Sequence, residues 1–141
     1  MEQKMKTRLS KEIEKRLTMR WVMSLANYLQ WDCDLPQREA AERAHLAREL
    51  LCQLGRGEVV FTYRKADGWL RRARGTLCVG LSTEFDHYAP SGRLIKREQA
   101  DGDLLTYWDL DRRSWRSFHA RNLLGIDSVT IHNHYNMHEY E

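Results

Sequence analysis

Residues 59–77 read Val-Val-Phe-Thr-Tyr-Arg-Lys-Ala-Asp-Gly-Trp-Leu-Arg-Arg-Ala-Arg-Gly-Thr-Leu. Two runs with strand character, 59–65 and 69–79, flank the tripeptide Ala66-Asp67-Gly68. Asp-Gly supplies the positive φ that a tight hairpin demands, so the stretch predicts an antiparallel β-hairpin. A second pair follows the same logic: Leu-Leu-Thr-Tyr-Trp-Asp at 104–109, a polar step at 110–113, then Ser-Trp-Arg-Ser-Phe-His at 114–119.

Alternation puts Val59, Phe61 and Tyr63 on one face of the first strand, with Val60, Thr62 and Arg64 on the other. In the second strand Trp69, Arg71, Ala73, Gly75 and Leu77 oppose Leu70, Arg72, Arg74 and Thr76. Ala73 and Gly75 are too small to fill a core alone. They fit a strand that bends sharply or that another chain segment approaches closely. Residues 80–103, with Pro90-Ser91-Gly92 and Asp101-Gly102, read as a long loop or irregular hairpin. Residues 122–126 form a short closing strand. Five short, bent strands predict a small SH3-like (Sm-like) barrel whose core includes Phe61, Tyr63, Leu77 and Phe118.

Ahead of the strands the period changes to that of helices. A first helix is expected from Ser10 as N-cap, with Ile13, Leu17, Trp21, Leu25 and Tyr28 at helical spacing. Residues 31–36 break it. Asp34 is placed to cap a second helix with Gln37 completing a capping box, and Ala40, Ala44, Ala47, Leu51 and Leu54 form its narrow apolar seam. Gly55 and Gly57 end it. The whole is an α+β chain: an N-terminal helical hairpin (1–56), a five-stranded SH3-like barrel (57–126) and a C-terminal tail (127–141). A helical hairpin invites a helix-turn-helix reading. Trp31 and Pro36 in the connection, and an outer face poor in Arg, Asn and Gln, favour packing against the β-region instead.

The chain has 141 residues, 42% of them hydrophobic with five Trp, enough for one core. Its formal charge of +3 is mild, so any nucleic-acid affinity must come from a local patch. Residues 57–141 carry 12 Lys/Arg and 12 Asp/Glu. Three separated cysteines, Cys33, Cys52 and Cys78, argue against a disulfide framework or zinc ribbon, and Cys78 reads as a buried barrel residue. The first residues lack the apolar stretch of a signal peptide, and no run approaches membrane-spanning length. The expectation is a cytoplasmic protein with no membrane partner.

Phe61-x-Tyr63-x-Lys65-x-Asp67-Gly68-x-Leu70-Arg71-x-Ala73-x-Gly75-Thr76 resembles the opening of the WYL-like family of small Sm-like SH3 β-barrel proteins. Residues 107–110 (Tyr-Trp-Asp-Leu), 115–118 (Trp-Arg-Ser-Phe), Asn122-Leu123 and Ile126 are similar to its second half. The resemblance covers about residues 57–126 and implies the barrel. Larger WYL-domain proteins, by the same resemblance, are ligand-sensing regulators, some tied to phage defence, whose barrel binds nucleotides or nucleic acid. Small relatives occur in gut bacteria and their mobile elements. The Trp-Tyr-Leu tripeptide itself is absent, as is a winged-helix domain. Arg116 carries over from the resemblance as a ligand-surface arginine.

Arg64, Lys65, Arg71, Arg72 and Arg74 place five cations within eleven residues. Arginine suits bidentate phosphate contacts, and Trp69, Trp108 or Trp115 offers a ring on which a base can stack. The expectation is a small, non-enzymatic and regulatory binding module. It would engage nucleic acid or a nucleotide through Arg64, Lys65, Arg71, Arg72, Arg74, Arg116 and Trp69. The competing expectation pairs these cations with Glu58, Asp67, Asp109 and Asp111. That pairing would simply keep the barrel surface soluble. The competing function is a protein-interaction or inhibitor module, against a host or phage system or as a homodimer, through its helices and exposed aromatics. No hydrolase elbow, Walker loop or metalloprotease motif occurs. No catalytic residue, cofactor or metal is expected. Asp101 and Asp103 read as turn residues, and the tail histidines His132, His134 and His138 lack further ligands at proper spacing.

Overall fold

The computed structural model of the protein describes residues 8–88, 102–127 and 129–130. Three helices come first: α1 (Arg8–Arg16), α2 (Met19–Trp31) and α3 (Gln37–Leu54). The expected first helix is thus two. Ser10 lies inside α1, and the break falls at Thr18. Its hydroxyl donates to the Lys15 carbonyl at 2.9 Å and accepts from the Trp21 N–H at 3.2 Å. Threonine thereby ends one helix and caps the next. Asp34 does not cap α3 either. It adopts φ 59° at the end of α2, which turns the chain so that the Leu35 N–H reaches the Leu29 carbonyl at 3.1 Å. Pro36 occupies the N-cap position of α3, without a side-chain hydrogen bond.

Apart from His45 and Cys52, helix α3 is built of Ala, Leu, Glu, Gln and Arg, all strong helix formers. Its expected seam, Ala40, Ala44, Ala47, Leu51 and Leu54, is buried, joined by Leu46 and Leu50. It packs on Val22, Leu25 and Leu29 of α2 on one side and on the sheet on the other. The Leu77 N–H donates to the Leu54 carbonyl at 2.9 Å, and Arg43 donates to the Leu123 carbonyl. Helices and sheet therefore share one continuous buried cluster.

The strands are β1 (Val59–Arg64), β2 (Leu70–Thr76), β3 (Leu104–Asp109), β4 (Ser114–His119), β5 (Leu123–Ile126) and β6 (Val129–Thr130). Their order is β4-β3-β2-β1-β5-β6, with every neighbouring pair antiparallel. The β1–β2 turn is the one the sequence predicts. Gly68 takes φ 94°, its N–H donates to the Lys65 carbonyl at 2.9 Å, and Asp67 Oδ1 accepts from the Trp69 N–H at 3.0 Å. That backbone bond, before all other influences, holds the Asp67 carboxyl below its ordinary range.

The five-stranded closed barrel is not what forms. Six strands make an open sheet, and among the described residues β4 and β6 are its unpaired edges. The sheet nonetheless curls. Three strand spacings of about 4.8 Å would separate β1 from β4 in a flat sheet. Yet the rings of Tyr63 and Phe118 stack at 4.5 Å, and Phe61 lies 5.7 Å from Phe118. The curl is possible because Ala73 and Gly75 are small. A Cβ at Gly75 would lie 2.6 Å from the Tyr107 ring. The expected core residues Phe61, Tyr63, Leu77 and Phe118 are all buried. A 3-10 turn, Ala120–Asn122, carries the chain from β4 to β5, joining the two sides of the curl covalently without a closing ladder.

The stretch expected as an irregular loop contains a short helix, α4 (Thr83–Tyr88). Its Phe85 is buried against Trp108 and Trp115, with centroids 6.3 and 5.7 Å away, and so covers the convex face of β3 and β4. Cys78 lies just past β2 and is half-buried rather than in the core. Asp101 and the tail from 131 onward, with His132, His134 and His138, lie outside the described residues.

A candidate ligand-binding recess beside the curled sheet

The register assigns each arginine to a face. Phe61 pairs with Ala73 and Tyr63 with Arg71, so Arg71 lies on the concave face with the core aromatics. Arg72 and Arg74 pair with Thr62 and Val60, which puts them with Arg64 on the convex face. Arg116 pairs with Tyr107 and is concave. Alternation therefore splits the cationic group instead of forming one surface.

The convex set is anchored within the chain. Arg74 Nη1 lies 2.9 Å from Glu58, and its Nη2 lies 3.0 Å from Asp111. Its hydrogen bond to Glu58, then that to Asp111, raises the Arg74 guanidinium above its ordinary value. Arg72 pairs with Asp127, and Arg64 donates to the Gly68 carbonyl at 2.6 Å. Lys65 sits 3.2 Å from Asp67 at the turn. Trp108 and Trp115 pack edge to face at 5.4 Å beneath Phe85, which occupies their rings in the core. Trp69 is 53% exposed at the start of β2, on the Arg71 side of the strand.

Arg71 of the concave face and Arg72 and Arg74 of the convex face line a common recess. Strand β2 pairs with β3 only at Gly75–Asp109 and Thr76–Trp108, with one further bond from the Leu110 N–H to the Arg74 carbonyl. From Arg74 back to Leu70 it runs past the end of the β3–β4 hairpin. A recess of about 310 Å³ opens there, walled by Arg71–Arg74 and by Asp109, Asp111 and Arg112. Four arginines and two aspartates form the wall, while Glu58 and Asp127 pair with Arg74 and Arg72 from outside it.

Asp109 organises the recess floor. Its Oδ1 accepts from the Asp111 and Arg112 N–H groups, each at 2.9 Å, which shapes the turn. Its Oδ2 is 3.0 Å from Arg116 Nε. That nitrogen is buried with no acceptor in line, so the contact is an ion pair rather than a hydrogen bond. Behind it the Tyr63 and Tyr107 hydroxyls meet at 2.7 Å. Burial first, then the Tyr63 neighbour, pushes the Tyr107 phenol far above its ordinary range, so it stays protonated.

The sequence reading missed Arg112 and the role of Asp109. An Asp immediately before a polar turn is the one signal that could have found the latter. It also read Asp103 as a turn residue. Asp103 is buried and accepts from the Arg121 N–H and Nε, both at 3.1 Å, with His119 Nδ1 at 2.8 Å. This triad locks the start of β3 to the end of β4 and lies away from the recess residues. Burial works against the Arg121 charge, but Asp103 more than offsets it and holds the guanidinium pKa up. No cluster of three or more metal-ligating side chains occurs among the described residues. No described helix is long and apolar enough to cross a membrane.

A family model described as WYL_2, Sm-like SH3 beta-barrel fold, matches residues 47–124. That span is more than half of the chain and holds every wall residue of the recess. The chain belongs to the WYL_2 family. The match begins inside α3, in line with the continuous core that α3 shares with the sheet of this WYL_2 protein. Neither a curated protein nor a solved structure matches it.

Proposed function

We propose that this WYL_2 chain is a regulatory binding module, not a catalyst, that takes a phosphate-bearing ligand in the recess between β2 and the β3–β4 turn. The ligand class is a nucleotide or single-stranded nucleic acid. The observation that carries this reading is the recess itself, where four arginines outnumber two aspartates. Guanidinium groups on two sides of a recess suit bidentate phosphate contacts. Trp69, exposed on the Arg71 side of β2, supplies a ring for base stacking. Arg71 and Arg112 are the phosphate contacts. Arg72 and Arg74 form the wall, with Asp127, Glu58 and Asp111 holding them in place.

Isothermal titration with nucleoside mono- and triphosphates tests the assignment. Arg71→Gln and Arg112→Gln should each weaken binding at least tenfold while leaving the melting temperature within a few degrees. Equal affinity in the wild type and both variants would remove the recess as the site.

A further inference from the structure

Helix α2 carries one charged residue, Arg20, in thirteen. Val22, Leu25 and Leu29 are buried against α3. On the opposite face Met19, Met23, Asn27 and Trp31 follow at intervals of four, all exposed, with Met19 at 56%, Met23 at 61% and Trp31 at 72%. Half of the large hydrophobic side chains exposed among the described residues thus lie on one ridge. The exposed positions of α3 differ in kind: Arg38, Glu39 and His45 are polar or charged.

We propose that this ridge is the contact surface for a second copy of the chain, packed antiparallel across a two-fold axis. The spacing is self-complementary. In an isologous pair, residue i meets j and j meets i. With the axis midway along the ridge, Met19 lies beside the partner subunit's Trp31 and Met23 beside the partner subunit's Asn27. Each thioether at the ends then meets an indole, a favourable sulfur–aromatic contact. Rows of four-residue spacing on two helices run alongside one another at a crossing angle of about −50°. The antiparallel arrangement also sends the two Arg20 side chains to opposite ends, whereas a parallel one brings like charges together.

The area sets the strength. Met19, Met23 and Trp31 together expose about 400 Å² per copy, roughly half of what a standard interface takes from each partner. The dimer is therefore weak and concentration-dependent, forming in the micromolar range or above.

Sedimentation velocity of the full chain across a hundredfold concentration range reads this directly. The wild type should shift from monomer toward dimer. Met19→Lys and Trp31→Glu should each raise the dissociation constant at least tenfold. Both sites are exposed, so the melting temperature should stay near that of the wild type. Combined in one chain, the two substitutions place opposite charges together at both ends of the interface and should restore most of the lost affinity. A wild type that stays monomeric throughout overturns the proposal and leaves the ridge to a different partner. A dimer indifferent to both single substitutions overturns it as well. Loss in each single variant without recovery in the double variant refutes the antiparallel pairing.

Discussion

Gly75→Ala tests the cause of the sheet's curl. An added Cβ would sit 2.6 Å from Tyr107 Cδ2, 3.2 Å from the Trp108 carbonyl and 3.3 Å from Phe61 Cε1. The Tyr107 ring has little room to retreat. It is fully buried, edge-on to Phe61 with centroids 4.9 Å apart, and its hydroxyl is held by Tyr63 at 2.7 Å. Overpacking of this kind costs about 1–3 kcal/mol. Losing the hydroxyl pair would add about 1 kcal/mol. Against this, replacing glycine lowers unfolded-state entropy and returns about 0.4–1 kcal/mol. The net expectation is a loss of about 1–3 kcal/mol, read by urea unfolding with tryptophan fluorescence. Gly57→Ala is the matched control. Nothing lies within 4 Å of its added Cβ, so it should be neutral or slightly stabilising. Gly75→Ala as stable as the wild type would refute close approach as the reason for glycine there.

Phe85→Ala should cost about 3–5 kcal/mol, because it empties the contact that holds α4 on Trp108 and Trp115; thermal unfolding measures it. Ala44→Arg puts a long cation where no exposure remains and should destabilise the monomer, with a melting temperature at least several degrees lower. Tyr107 has a folded pKa raised above its unfolded value, so the stability it contributes is complete below about pH 10 and is lost as the pH rises beyond. Absorbance at alkaline pH should show one tyrosine that ionises only with unfolding, and Tyr107→Phe should remove that coupled phase.

Much of this architecture is legible in the chain because local chemistry and tertiary structure agree. Asp67-Gly68 specifies the turn that forms, and the alternation of Phe61 and Tyr63 with Thr62 and Arg64 sets the register of β1 against β2. The residues of the second hairpin match β3 and β4. Helix boundaries were less legible. The apolar stripe from Ile13 to Tyr28 runs through Thr18, and only the hydroxyl's choice of partners shows that the helix stops there. Phe85 belongs to a stretch of mixed charge with no period, so α4 is visible only once Trp108 and Trp115 provide a surface for it. Barrel closure depends on whether distant edges meet, which period-two patterning does not encode. The arginines were legible as candidates, but not their division between faces of the sheet. Their acidic partners come from as far away as Asp127, and Arg112 enters the recess because the β3–β4 turn falls beside Gly75 while β2 continues back to Leu70.

The central claim, a phosphate-binding recess, is most directly tested by fluorescence anisotropy with labelled single-stranded oligonucleotides at low and moderate salt. The account predicts binding by the wild type that weakens with salt, at a log–log slope of roughly −0.7 for each phosphate contacted. The Arg71→Gln, Arg112→Gln double variant should retain its fold and bind at least tenfold more weakly, with a shallower slope. No binding by the wild type even at low salt, or binding that the double variant keeps unchanged, would contradict it.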